Sequence, residues 1–371
     1  MQIHVLGDSI VTAYGSDENN FIGGWGDHLN SFFKNEVPVL VYAEGGRSSR
    51  SFLNEGRFMN YGIFSKDEFP YGMGPAYDRI CAGDYVLMQF CHNDDESKGY
   101  GTYVDRLTPL GIPDSHGIYP TVVPDEQMKV PTGEIPSEYV TLLRKTGMTE
   151  QEIAVYERKY RELIAQYGEK YWSYDCGATY KGYLKFYIDK IRACGAVPVL
   201  VTPPPRQYYK NGKIAAVAGQ HGGEDAFGAF PYVRAIRQLG RQEMLLYWIC
   251  FKEVWSCVER LGETAAKSLK ALKIKSGVTI GEARYGRMQK WVEDYDIYWE
   301  KGNFTVDNTH QNRLGSYLYA AMIADCISEQ LPNLAQWQLP CASKSMRCPA
   351  RIRTFIPVME AAVHHIGIKI V

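Results

Sequence analysis

Apolar positions in this chain gather in short continuous runs instead of long alternating ones. The runs lie at residues 2–6, 37–42, 84–90 and 197–202, each bounded by polar or turn-forming residues. Runs of four to seven apolar and β-branched residues suit strands buried on both faces of a parallel sheet. Residues 244–250 give a weaker strand signal that equally continues a helix. Between the runs the spacing turns helical, at residues 27–35, at 183–193, and as an amphipathic pattern at 314–331. Strands alternating with helices predict an α/β fold with a doubly wound parallel sheet. Two stretches interrupt the alternation. Residues 99–173 are long and rich in Pro and Gly, with a helix expected at about 149–167, and residues 262–302 are charged and aromatic. Both fall between a strand end and the next motif, where loops commonly shape a cleft. The chain is therefore read as one domain over residues 1–340 with two insertions. A tail over 341–371 carries Arg347, Arg351 and Arg353 and then turns apolar. That tail reads either as an extra helix and strand packed on the domain or as a homodimer contact.

Composition narrows the function classes. A formal net charge of -1 and a pI near 6.7 argue against nucleic acid or an anionic membrane as partner. No run reaches the 18 apolar residues of a spanning helix. Met1 is followed at once by the first strand run, with no basic and apolar leader, so a cytoplasmic location is expected. Nine cysteines without framework spacing agree with reduced thiols, with Cys341 and Cys348 the pair that could form a bridge or hold a metal.

The candidate chemistry lies in separated clusters. Gly7-Asp8-Ser9 ends the first strand, where a serine can meet backbone N–H groups facing a developing oxyanion. His92-Asn93-Asp94 follows the 84–90 strand, and an asparagine there can present its amide to the same oxyanion, although such residues also make ordinary turns. In Asp307-x-x-His310 the aspartate can accept from imidazole Nδ1–H and leave Nε2 for the serine, with His310 on a loop before a helix begun by Asn312 and Gly315. A metal reading of His92, Asp94 and Asp95 lacks a second histidine at ligand spacing, so neither metal nor cofactor is expected.

These clusters, with Gly45-Gly46-Arg47-Ser48-Ser49-Arg50-Ser51-Phe52 between the first two, resemble the SGNH (GDSL-type) hydrolases. The Gly-Arg-Ser-x-Arg-Ser segment and Val199-Leu200-Val201-Thr202-Pro203-Pro204-Pro205-Arg206 are similar to the rhamnogalacturonan acetylesterase branch. The resemblance spans roughly residues 3–95, 180–206 and 300–331. It implies a flavodoxin-like five-stranded sheet, Ser9 as nucleophile, His310 as base and Asp307 as its orienting acid. It also implies an oxyanion site made by Ser9 N–H, Gly46 N–H and the Asn93 amide. Cys91 departs from the pattern, because it stands where the family has glycine.

Aromatic residues are dense at Tyr167, Tyr171, Trp172, Tyr174, Tyr180, Tyr183 and Tyr187, and again at Trp291, Tyr295, Tyr298 and Trp299. Such side chains suit sugar stacking, or a core or dimer interface. The expected function is removal of O-acetyl groups from pectin- or xylan-type oligosaccharides through an acetyl-enzyme. The alternatives are a lipid-type esterase or thioesterase, and a carbohydrate-binding protein without turnover.

Overall fold

The structure, a computed structural model, describes residues 1–15, 22–59, 74–95, 106–124, 178–217, 219–245, 247–248, 250–267, 269–274 and 304–339, with isolated positions between 140 and 161. The strands are β1 (Ile3–Gly7), β2 (Val39–Val41), β3 (Tyr85–Gln89), β4 (Val197–Val201), β5 (Tyr247–Trp248), β6 (Lys270–Ile274) and β7 (Phe304–Gln311). The helices that matter for the site are α1 (Gly26–Leu29), α2 (Ser49–Asn54), α3 (Tyr180–Ala193), α4 (Pro231–Gln242), α5 (Cys250–Lys267) and α6 (Arg313–Gln330). Of the helix expected at 149–167, residues 150, 151, 153–155, 157, 158 and 161 are described and are helical, while the 291–299 aromatics and the 341–371 tail, with Cys341 and Cys348, lie outside the described residues. The chain divides into two compact units, Met1–Ser9 with Val39–Pro203 and Ala216–Ile249, and Ile10–Pro38 with Pro204–Ala215 and Cys250–Val371.

In the first unit β1 to β5 form one sheet in the order β2-β1-β3-β4-β5. Every neighbouring pair is parallel, from Ile3 opposite Val39 to Val201 opposite Trp248. This is the expected flavodoxin-like order, and the short apolar runs explain it, since β1 and β3 are buried along their whole length. The ambiguous 244–250 stretch resolves as the edge strand β5. In a parallel sheet all carboxyl ends share one edge. The turns after β1, β2 and β3, which carry Ser9, Gly46 and Asn93, therefore emerge together where the strand order switches direction.

Tyr180, Tyr183 and Tyr187 correct the sugar-stacking expectation. They are fully buried on α3 in a core with Phe52, Phe58, Phe90 and Tyr232. Burying a tyrosine requires a partner for its hydroxyl, and here the partners are carbonyls of the site-bearing turns. Tyr180 donates to Phe90 O at 2.8 Å and Tyr187 to Ser49 O at 2.7 Å. Tyr232 donates to Asp94 O at 2.9 Å and Thr108 O at 2.6 Å.

In the second unit β6 and β7 pair antiparallel, with Lys270 opposite Gln311 and Ile274 opposite Phe304. Asn312 caps α6 through its side chain, which accepts from Gly315 N at 2.9 Å. A Cβ on Gly315 would stand 2.2 Å from Leu269 O, so only glycine lets the start of α6 close on the start of β6. The amphipathic reading of α6 is not met, since Leu318, Tyr319, Ala321, Ile323, Ala324 and Ile327 bury most of its circumference. The helix expected at 27–35 is shorter, with α1 tightening into a single 3₁₀ turn at Asn30–Phe32.

Candidate active site

Ser9 lies in the turn after β1 and is 7% exposed. The neighbouring Gly7 carbonyl accepts from Glu44 N at 3.1 Å, which joins the β1 turn to the turn after β2. In that second turn Gly46 has φ +78°. A Cβ there would stand 2.8 Å from the flexible end of Arg106, so it is the conformation, more than the space, that calls for glycine. Asn93 Nδ2 donates to Arg47 O at 3.1 Å, which fixes the amide beside the residue that follows Gly46. The first unit thus brings Gly46 and Asn93 together, on turns adjoining the one that bears Ser9.

The supports of these turns are mostly silent in the sequence motifs. Ser48 caps α2 in a reciprocal arrangement, with Ser51 N donating to Ser48 Oγ at 3.0 Å and Ser48 N to Ser51 Oγ at 2.9 Å. Such a cap contributes about 1 kcal/mol. The Ser48-x-x-Ser51 spacing is its one sequence signal. Asp94, fully buried, accepts from Ser49 N at 2.9 Å and Ser49 Oγ at 2.5 Å, tying the third motif to the second. Burial pushes the Asp94 carboxyl up to about 7, against the pull of its Ser49 hydrogen bonds. Residues from the first insertion brace the same place. Arg50 donates to Leu107 O at 2.9 Å and Thr108 N to Asp94 O at 3.0 Å.

His92 and Asp94 take different partners. His92 Nδ1 lies 3.2 Å from Asp8 Oδ2, while Asp94 is turned to Ser49. Cys91 has φ 156° and is fully buried, with Sγ 3.0 Å from His221 Nδ1. The thiol packs as a small side chain at a backbone geometry that favours glycine. His221, itself at φ 52°, stacks edge-on against His92 at 4.9 Å between ring centres.

In the second unit Asp307 and His310 are brought together as their spacing implied. His310 Nδ1 is 2.8 Å from Asp307 Oδ2, and Asp307 Oδ1 accepts from Thr309 N at 2.7 Å and His310 N at 3.1 Å. The pair stands on β7, not on the expected loop. A carboxylate that accepts from Nδ1–H favours the tautomer whose Nε2 can take up a proton. Two buried cations reach the residue that precedes His310. Lys270 Nζ donates to Thr309 O at 2.6 Å, and Arg206 donates to Thr309 Oγ1. Burial drives the Lys270 ammonium down to about 7, opposed by the attraction of Asp307 and reinforced by Arg206.

No protein-family model matches the chain. It is 25% identical over 210 residues to the Bacillus subtilis protein named "Probable rhamnogalacturonan acetylesterase YesY", covering 57% of each chain. It is 32% identical over 111 residues to the rhamnogalacturonan acetylesterase RhgT of the same organism, covering 29% of this chain and 41% of that one. A rhamnogalacturonan acetylesterase of Emericella nidulans is 34% identical over 92 residues, 25% of this chain and 31% of the relative. The chain thus matches between about a third and just over half of the length of these relatives. By this sequence relationship the chain is similar to rhamnogalacturonan acetylesterases, and its sheet order and the order of its motifs resemble those of the SGNH (GDSL-type) hydrolases.

Proposed function

We propose that this protein is a serine esterase that releases O-acetyl groups from acetylated plant-type oligosaccharides, those of pectin ahead of those of xylan. The observation that carries the reading is the Asp307–His310 pair, whose 2.8 Å contact at Nδ1 fixes the tautomer a general base requires. Ser9 attacks the acetyl carbonyl as His310 takes its proton. The oxyanion is held by the N–H groups of Ser9 and Gly46 and by the Asn93 amide, which has a second N–H beyond the one given to Arg47 O. Collapse expels the sugar alcohol, which takes the proton from His310. Water, deprotonated by His310, then cleaves the acetyl-enzyme to acetate. The proposed chemistry draws on these side chains, two backbone N–H groups and water. The pectin-type substrate follows the named relatives.

The test is acetate release from acetylated rhamnogalacturonan fragments, acetylated xylo-oligosaccharides and an octanoyl ester, for the wild type and Ser9→Ala. Release from the first substrate, lost on substitution, is expected. Preference for the octanoyl ester would replace the reading with a lipid-type esterase. Sugar binding without turnover of any ester would leave a carbohydrate-binding protein.

A further inference from the structure

The second unit contains a buried titratable group that the proposed reaction does not use. Lys270 opens β6 and is 2% exposed, yet no motif of the sequence points to it. A lysine is almost never buried to this extent without a partner that makes use of its charge. Its partner is the backbone of the catalytic segment. Thr309, lying between Asp307 and His310, is held at three of its atoms. Its N–H is taken by Asp307 Oδ1 at 2.7 Å, its carbonyl by Lys270 Nζ at 2.6 Å, and its hydroxyl by Arg206. The strand register places Lys270 there, since it is paired with Gln311 across the hairpin. The hairpin end is pinned as well, because Asn312 N donates to Leu269 O at 3.1 Å.

We propose that Lys270 is a positioning residue for His310, which fixes the Thr309 carbonyl and competes with the imidazole for the negative charge of Asp307. This rests on the reading of His310 as base. The charged groups facing Lys270 are Asp307 on β7 and Arg206 on the 204–215 segment, while His310 faces Asp307. Both His310 and Lys270 gain from the same carboxylate. A positive charge on one therefore opposes a positive charge on the other. The depression of the lysine by burial brings its titration into the range where an imidazole also titrates. Removing the lysine charge leaves Asp307 wholly to the imidazolium, so the base must be relieved of its proton at higher pH.

The experiment compares wild type, Lys270→Gln and Lys270→Met by two readouts. The first is the pH profile of kcat/KM on p-nitrophenyl acetate. The second is NMR titration of the His310 ring in the full chain. Lys270→Gln keeps an N–H for the Thr309 carbonyl and removes the charge, whereas Lys270→Met removes both. The expected result is a rise of the His310 midpoint, and of the acid limb, by about 0.5 pH unit or more in both variants. The plateau rate should be kept by Gln and lowered by Met. In the wild type, which needs no substitution to fold, the His310 ring signals should change over a wider pH span than a single independent site. A wild-type curve of single-site width, with midpoints unmoved in the variants, would overturn the proposal. So would a loss of rate that is uniform across pH, which is the mark of a purely structural lysine. If the wild type hydrolyses no ester, or His310→Ala keeps its rate, the esterase reading fails instead, and the NMR coupling still decides the role of Lys270.

Discussion

The turns of the first unit and the hairpin of the second are built on different principles. Ser9, Gly46 and Asn93 leave the carboxyl edge of a parallel sheet, and beside the buried Arg50 and Asp94 their supports are mainly backbone geometry and neutral hydrogen bonds. A positive φ at Gly46, a reciprocal serine cap on α2 and three buried tyrosine hydroxyls do the holding. Asp307 and His310 stand on an antiparallel strand braced by two buried cations, Lys270 and Arg206. Oxyanion donors must be rigid and need no titration, so backbone supports suffice. A general base must gain and lose a proton, so the charges around it matter as much as its position.

The comparison is broken most severely at its reacting atoms. Ser9→Ala and His310→Ala should each lower kcat by about 10³-fold or more on an acetyl ester. Retention of rate within tenfold in stopped assays would remove the residue from the mechanism. Asn93→Ala should cost roughly 10²–10³-fold in kcat with KM little changed, because an oxyanion donor acts on the transition state. A raised KM at unchanged kcat would make Asn93 a substrate-binding residue instead.

Asp94 sharpens the comparison, since it is a buried titratable support among the mainly neutral ones of the first unit. Its carboxyl titrates near 7 in the folded protein and at the ordinary carboxylate value when unfolded. The unfolded chain therefore releases this proton first, and this group's contribution to stability declines as pH rises from about 4 to 7. Asp94→Asn keeps an acceptor for Ser49 without that decline. Its melting temperature should accordingly gain on that of the wild type across this window. A difference that is constant with pH would show the carboxylate to be ionised in the fold.

The smallest effect concerns Cys91. At φ 156° a glycine relieves backbone strain of about 1–3 kcal/mol, while an alanine keeps the strain and loses the thiol contact with His221. Cys91→Gly should therefore be more stable than Cys91→Ala by about 1 kcal/mol in denaturant unfolding, the reverse of the usual order of these two residues. Equal stabilities would mean that the turn relaxes around either side chain.

Much of this was legible in the residues. Short apolar runs determined a parallel sheet, because a strand covered on both faces has no polar side to alternate. The Asp-x-x-His spacing determined that the two side chains could meet, and their 2.8 Å contact lies within one strand. Tertiary structure decided what no local spacing encodes. Tyr180, Tyr183 and Tyr187 offer ring faces and hydroxyls suited to either a sugar or a core, and only the packing of α3 assigns them to the core. Lys270 reads along the sequence as an ordinary charged residue of the 262–302 insertion. It becomes a buried cation beside Asp307 because the register of β6 on β7 sets it opposite Gln311, and strand register joins residues about forty positions apart. Local chemistry thus named the candidate reacting groups, and long-range pairing chose the charges that surround the proposed base.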